Sequence, residues 1–205
     1  MRIFSSKKRV VLLGLASATV VGLGAIQAGA VTFDLPVRGT GTQCLTPEAD
    51  RSLAAQNVTL EPIAPATVTN NCLTYPGSGT LSPRLTGGEI PIQGGMSFSG
   101  GGHRLDLSNL VVHIRLGEGY TSADVSQDGA PATNIHLLTF PVSPSRVEFT
   151  PTTVDTKDIP LRLSAPAAAA FTDAFGESPV EVGETLFTFA GHAEITNPLG
   201  GFPTP

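Results

Sequence analysis

Glycine and proline interrupt this chain too often for a helical bundle or a doubly wound α/β fold. Together the 23 Gly and 17 Pro are 40 of 205 residues, against a usual share of about 12%. Apolar residues still make up 40%, enough to build a core and to exclude wholesale disorder. Such a chain is confined to short elements joined by frequent turns.

The N-terminus carries a separate signal. Arg2, Lys7, Lys8 and Arg9 form a positive cluster, an apolar run follows from Val10 to about Ile26, and Ala28-Gly29-Ala30 places small residues at the −3 and −1 positions of a cleavage site. The pattern is that of a secretory signal peptide over residues 1–30, cut between Ala30 and Val31. No cysteine lies at the cleavage region, which argues against a lipid anchor, and no second apolar stretch is long enough to span a bilayer. Removing four of the 12 basic residues leaves eight against 17 acidic ones, a formal charge of −9, with Lys157 as the only lysine. A chain of that charge repels nucleic acid and anionic lipid surfaces. The expected location is extracellular or in the cell envelope.

Cys44 and Cys72 both follow the signal. In an oxidising compartment a disulfide is the default for such a pair. There is no C-x-x-C, and no His stands near either cysteine in sequence, so metal ligation is the weaker reading.

Along the mature chain, residues 31–76 read as a Thr- and Pro-rich extension tied to itself by the disulfide. A turn or two of helix is expected over Thr46–Ala55, with Thr46 as N-cap and Pro47 behind it. Residues 77–197 read as the main β domain. Arg104–Leu116 is its most periodic segment: Leu105 and Leu107 share one parity, whereas Leu110, Val112, Ile114 and Leu116 share the other. The phase change at Ser108-Asn109 predicts a β-bulge. Gly117-Glu118-Gly119 reads as a turn and Tyr120–Val125 as the return arm of a hairpin. Near 165–175 one short helix is expected, with Ser164 as cap, Phe171 and Phe175 on one face and Gly176 as terminator. Residues 198–205 read as a flexible tail. The fold class is all-β: an antiparallel β-sandwich or a partly open barrel with one short helix.

The segment Met96-Ser97-Phe98-Ser99-Gly100-Gly101-Gly102-His103-Arg104-Leu105-Asp106-Leu107-Ser108-Asn109-Leu110-Val111-Val112, followed later by Ile159-Pro160-Leu161-Arg162-Leu163, an Ala-rich helix and Gly176, resembles exported actinobacterial β-domains of the HtaA type. The likeness runs from about Gly94 to Ile195. It implies a cell-envelope haem-binding protein in which a Tyr holds the iron and a His nearby supports it. Trp is absent, so the family's Trp- and Tyr-bearing entry segment has no counterpart; Tyr75 and Tyr120 are the only tyrosines. His103 lies close to the family's His position, displaced by glycines. The candidate ligand-binding residues are therefore His103 and Tyr120.

The other histidines carry little on their own. His113 and His136 read as solvent-facing strand positions and His192 as a loop residue. No HxH, H-E-x-x-H or Cys/His spacing signals a metal. No G-x-S-x-G elbow supports nucleophilic catalysis, and Gly100–Gly102 lacks the lysine and helix of a phosphate loop. A calcium loop is missing around Asp124 and Asp128. The absence of Trp and the scarcity of Tyr weaken a carbohydrate-stacking reading. The function expected is a non-enzymatic exported binding or structural module, with an unknown ligand or envelope partner, no catalytic residues and no cofactor; the resemblance implies haem as the alternative.

Overall fold

A computed structural model describes residues 34–196; the signal peptide with its cleavage site and the tail at 198–205 lie outside them. Among the described residues the strands are β1 (Leu35–Leu45), β2 (Thr59–Ile63), β3 (Thr67–Thr69), β4 (Cys72–Leu81), β5 (Gly88–Pro91), β6 (Gly95–Gly100), β7 (His103–Ile114), β8 (Gly117–Gln127), β9 (Thr133–Val142), β10 (Val147–Phe149), β11 (Thr153–Leu163) and β12 (Thr185–Ile195). Two α-helices interrupt them, α1 (Pro47–Ala55) and α2 (Ala165–Phe175), and a 3-10 turn spans Pro144–Arg146.

Eight strands close into an antiparallel barrel in the order β1-β4-β5-β7-β8-β9-β11-β12 and back to β1. The expectation of a sandwich or a partly open barrel is corrected here: the ring is complete. The reason is the length of β7. One of its edges pairs first with β6, through His103–Leu107, and then with β5, through Val111–Ile114. Its other edge pairs with β8 along most of its length. With β5 on one edge and β8 on the other, β7 joins the two ends of the ring, while β6 and β2 extend from it beside β5. The bulge expected at Ser108-Asn109 is present: the register shifts between Ser108 and Val111, and Asn109 takes φ 50°.

Segment 31–76, read as an extension, supplies one whole stave, β1, and the first half of another, β4. In β1 and β4 the inward positions include Gly39, Gly41 and Gly77, so no apolar alternation marks them as strands. Gly41 faces the Phe189 ring, whose atoms lie 2.6 Å from where a Cβ would stand. A side chain there would displace the ring, and the glycine lets an aromatic from β12 cover the stave instead.

Both helices form where capping signals stand. The Thr46 hydroxyl accepts from the Ala49 N–H at 3.2 Å, and Ala49 and Leu53, four apart, are buried. The turn or two of helix expected over Thr46–Ala55 is thus the regular helix α1, and the fold class gains a second helix. In α2 the Ser164 hydroxyl accepts from Ala167 N–H at 3.1 Å, and Gly176 ends the helix at φ 86°. Phe171 is buried and meets Phe98 of β6 edge-to-face, with ring centroids 4.7 Å apart. This contact docks a helix too short to be stable alone. Cys44 and Cys72 face each other across β1 and β4 and are joined as a disulfide.

Candidate functional site

Alternation along β7 and β8 sends Val112, Ile114 and Thr121 into the barrel, where they line its interior. It therefore turns His113 and Tyr120 outward. The register brings these two directly opposite each other, and their rings stack at 4.4 Å with planes 17° apart. A bulge between Thr121 and Ser122 shifts β9 so that His136 comes to the other face of the phenol, at 4.2 Å and 23°. Tyr120 is thus sandwiched between two imidazoles. His113 Nε2 shares a 3.0 Å hydrogen bond with the Ser122 hydroxyl, which orients the ring. The Arg115 guanidinium carbon sits 5.2 Å from the Tyr120 ring centroid, a cation–π contact. Leu116, in the adjoining turn, is 63% exposed.

Farther along the same outer face, Asp124 accepts from the side-chain amides of Asn109 on β7 and of Asn134, its register partner on β9, both at 2.8 Å. These two bonds, Asn109's the larger effect, hold its carboxyl below the usual carboxylate range.

Tyr75 is placed differently. It points into the barrel, accepts from Gln43 Nε2 at 3.0 Å and is buried. Burial pushes its phenol far up, against a smaller lowering by the Gln43 bond. A phenol held protonated in this way is unsuited to ligating iron.

His103 stands at the far end of β7, after the tight turn in which Gly101 and Gly102 take φ 60° and 88°. Ten residues of strand separate it from His113, roughly 30 Å of chain. The two sequence-selected residues, His103 and Tyr120, are therefore not brought together. His103 Nδ1 bonds Asp128 Oδ2 at 2.8 Å, and the Arg104 N–H reaches the other carboxylate oxygen at 2.7 Å. The His103 bond first, then the Arg104 amide, lower the Asp128 pKa. His192 and Asp155 repeat the pairing at 2.6 Å on the outer face of β11 and β12, and there too the histidine bond is the main cause of a lowered carboxyl pKa.

Sequence reasoning selected Tyr120 but set aside both of its neighbours. Their proximity to Tyr120 follows from where the hairpin is centred. Centring it on Gly117–Gly119 pairs Tyr120 with Leu116, whereas the register centres it on Leu116-Gly117, with Gly117 at φ 88°, and pairs Tyr120 with His113. The single glycine that needs a left-handed backbone was the signal available.

No protein-family model matches the chain, and no curated protein matches it. Among solved structures, the C-terminal domain of HtaA from Corynebacterium glutamicum aligns with 78% of this chain and 98% of its own length, at 20% identity and a TM-score of 0.61. The N-terminal domain of the same protein aligns with 77% and 97%, at 13% identity and 0.57. The fold is HtaA-like. At these identities the likeness to HtaA is one of backbone, and the site must be judged on its own side chains.

On the HtaA-like barrel, the donor chemistry around Tyr120 fits a haem: an outward phenol, imidazoles on both faces of it, a guanidinium beside it and an exposed leucine in the next turn. Tyr75 does not fit. Among the described residues no cluster of three or more His, Cys, Asp or Glu could hold a bare metal ion, and no helix is long and apolar enough to cross a membrane.

Proposed function

We propose that this protein is an exported, non-enzymatic tetrapyrrole-binding module, with Tyr120 as the residue that holds a haem iron. The observation that carries the reading is the sandwich of Tyr120 between His113 and His136. It unites on one face the residue types that the HtaA resemblance implies, a Tyr with a His beside it. The HtaA-like barrel supports it, and the disulfide between Cys44 and Cys72 is compatible with a site outside the cytosol. Haem, if bound there, would supply an iron able to take a phenolate oxygen as a ligand.

This chain's own residues do the rest. Tyr120 offers the oxygen. Stacking on both faces fixes the phenol ring, so little freedom is lost when it binds. Ser122 orients His113. Arg115, beside the Tyr120 ring, would offer a positive charge to anionic side groups of a tetrapyrrole.

A second reading has its own support. His103, with Nδ1 engaged by Asp128, presents Nε2 outward in the carboxylate–histidine arrangement common among metal ligands.

Hemin titration followed at the Soret band tests both. Tyr120→Phe is expected to abolish the band, His113→Ala and His136→Ala to weaken binding about ten-fold or more, and His103→Ala to leave it unchanged. Loss in His103→Ala with retention in Tyr120→Phe would transfer the site to the β6–β7 turn. No spectral change in the unaltered protein would sink the haem reading altogether.

A further inference from the structure

The interior of the barrel is not filled. A cavity of ≈ 160 Å³ runs through the half farther from α2, although protein cores leave few voids larger than a water molecule. Its walls are almost wholly apolar, with Val112, Ile114, Leu161 and Phe189 among them and glycine at Gly77 and Gly191 where a larger residue would close the bore. Gln43 and Tyr75 also line it, with Gln43 Nε2 donating to the Tyr75 hydroxyl oxygen at 3.0 Å. Thr156 Oγ1, on the wall, is a buried hydroxyl with no hydrogen-bond partner among the described residues. Ser143 and Arg146, from the segment that follows β9, stand at the rim. Among the described residues no Asp, Glu or Lys lines the space, so Arg146 is the only permanent charge among them. Its guanidinium donates to the Asp158 carbonyl, which fixes the head and leaves other N–H donors free.

From these features we infer that the barrel interior is a second binding site, for a carboxylate with a short apolar tail. An eight-stranded barrel is wide enough either to be plugged by side chains or to hold one small ligand. Apolar cavities of about 150 Å³ stay dry and take up a benzene ring, which limits the tail to about six to eight carbons. The bore takes the tail and Arg146 takes the carboxylate at the rim. The site is distinct from the Tyr120 face, because Val112, Ile114 and Thr121 point inward where His113 and Tyr120 point outward.

Octanoate titration, read by NMR of methyl groups and by calorimetry on the disulfide-bonded protein, tests the inference. The methyls of Val112, Ile114 and Leu161 are expected to shift, and benzene is expected to displace octanoate. Arg146→Gln should weaken octanoate about ten-fold or more while leaving 1-octanol binding unchanged. Val112→Phe should abolish both. Because Val112→Phe could prevent folding, the benzene competition on the unaltered protein stands as an independent measure. Absence of interior methyl shifts, or octanoate binding insensitive to benzene, would overturn the bore as the site. Equal loss of octanoate and octanol in a folded Arg146→Gln would overturn the carboxylate assignment. Tyr120→Phe should leave octanoate binding intact, which separates this site from the haem reading.

Discussion

Asn109 donates its side-chain amide to Asp124 at 2.8 Å across β7 and β8, and it does so from a left-handed backbone at φ 50°. The bulge and the hydrogen bond are one arrangement: the extra residue in β7 turns its side chain toward the neighbouring strand. Asn is among the few non-glycine residues that tolerate this conformation. Asn109→Val should therefore lower stability by about 1–3 kcal/mol, and Asn109→Gly should do less harm because it keeps the backbone geometry. Urea unfolding of the two variants checks this.

Three exposed carboxyls, Asp124, Asp128 and Asp155, titrate below their ordinary value of 3.8 in the folded chain, the last two chiefly through His103 and His192. A lowered folded pKa means that the unfolded chain binds more protons in the interval between the two values. The stabilisation is then fully present above pH 3.8 and fades as pH falls through the folded pKa. Carboxyl-carbon NMR titration should show Asp128 moving up toward the ordinary value in His103→Ala, with Asp155 unmoved; an unchanged Asp128 would contradict the pairing.

Reduction of Cys44–Cys72 should destabilise the fold by about 3–4 kcal/mol on the chain-entropy account of the loop it closes. Since both cysteines lie in barrel staves, the loss should be felt by the whole barrel and not by α1 alone. Comparing denaturant midpoints with and without reductant, by far-UV circular dichroism and by NMR of β8 amides, checks the coupling.

Phe171→Ala should cost about 3–5 kcal/mol, because the ring fills the space between α2 and β6. Phe175→Ala should cost less, since that ring is only partly buried. Thermal unfolding of the two variants ranks them.

Tyr75→Phe leaves the Gln43 amide with only the Met96 sulfur, 3.6 Å away, as a partner. A loss of about 1–2 kcal/mol is expected. The hemin spectrum should not change, because this phenol is inside the barrel. A lost Soret band in Tyr75→Phe would contradict Tyr120 as the iron-holding residue.

The second half of the chain was the more legible. Leu105, Leu107, Leu110 and Val112 spell out their strand and even its bulge, because each faces a wet exterior on one side and a dry core on the other. Ser164, Pro166 and Gly176 mark α2 at both ends for local reasons that need no tertiary partner. β1 and β4 were hidden because their inward residues include Gly41 and Gly77, whose place in the core is taken by Phe189 and by Ile90 and Ile92 from elsewhere in the chain. Ring closure was hidden because it depends on β7 pairing β5 on one edge and β8 on the other, strands far apart in the sheet order, which no local pattern records. The site was half legible. Tyr120 stands out as one of two tyrosines, but its neighbours follow from a one-residue question of register at Leu116-Gly117.

β9 meets β11 through only two register pairs, Thr139 with Arg162 and Leu138 with Leu163, whereas β1 meets β12 through nine. Just beyond that short seam Ser164 donates its backbone N–H to Leu137 and its hydroxyl to the His136 carbonyl, while the same hydroxyl caps α2. One serine thus serves as both rivet and capstone. Fraying of the first turn of α2 and parting of the barrel wall become a single opening event, and His136 sits on the strand that such an opening would release.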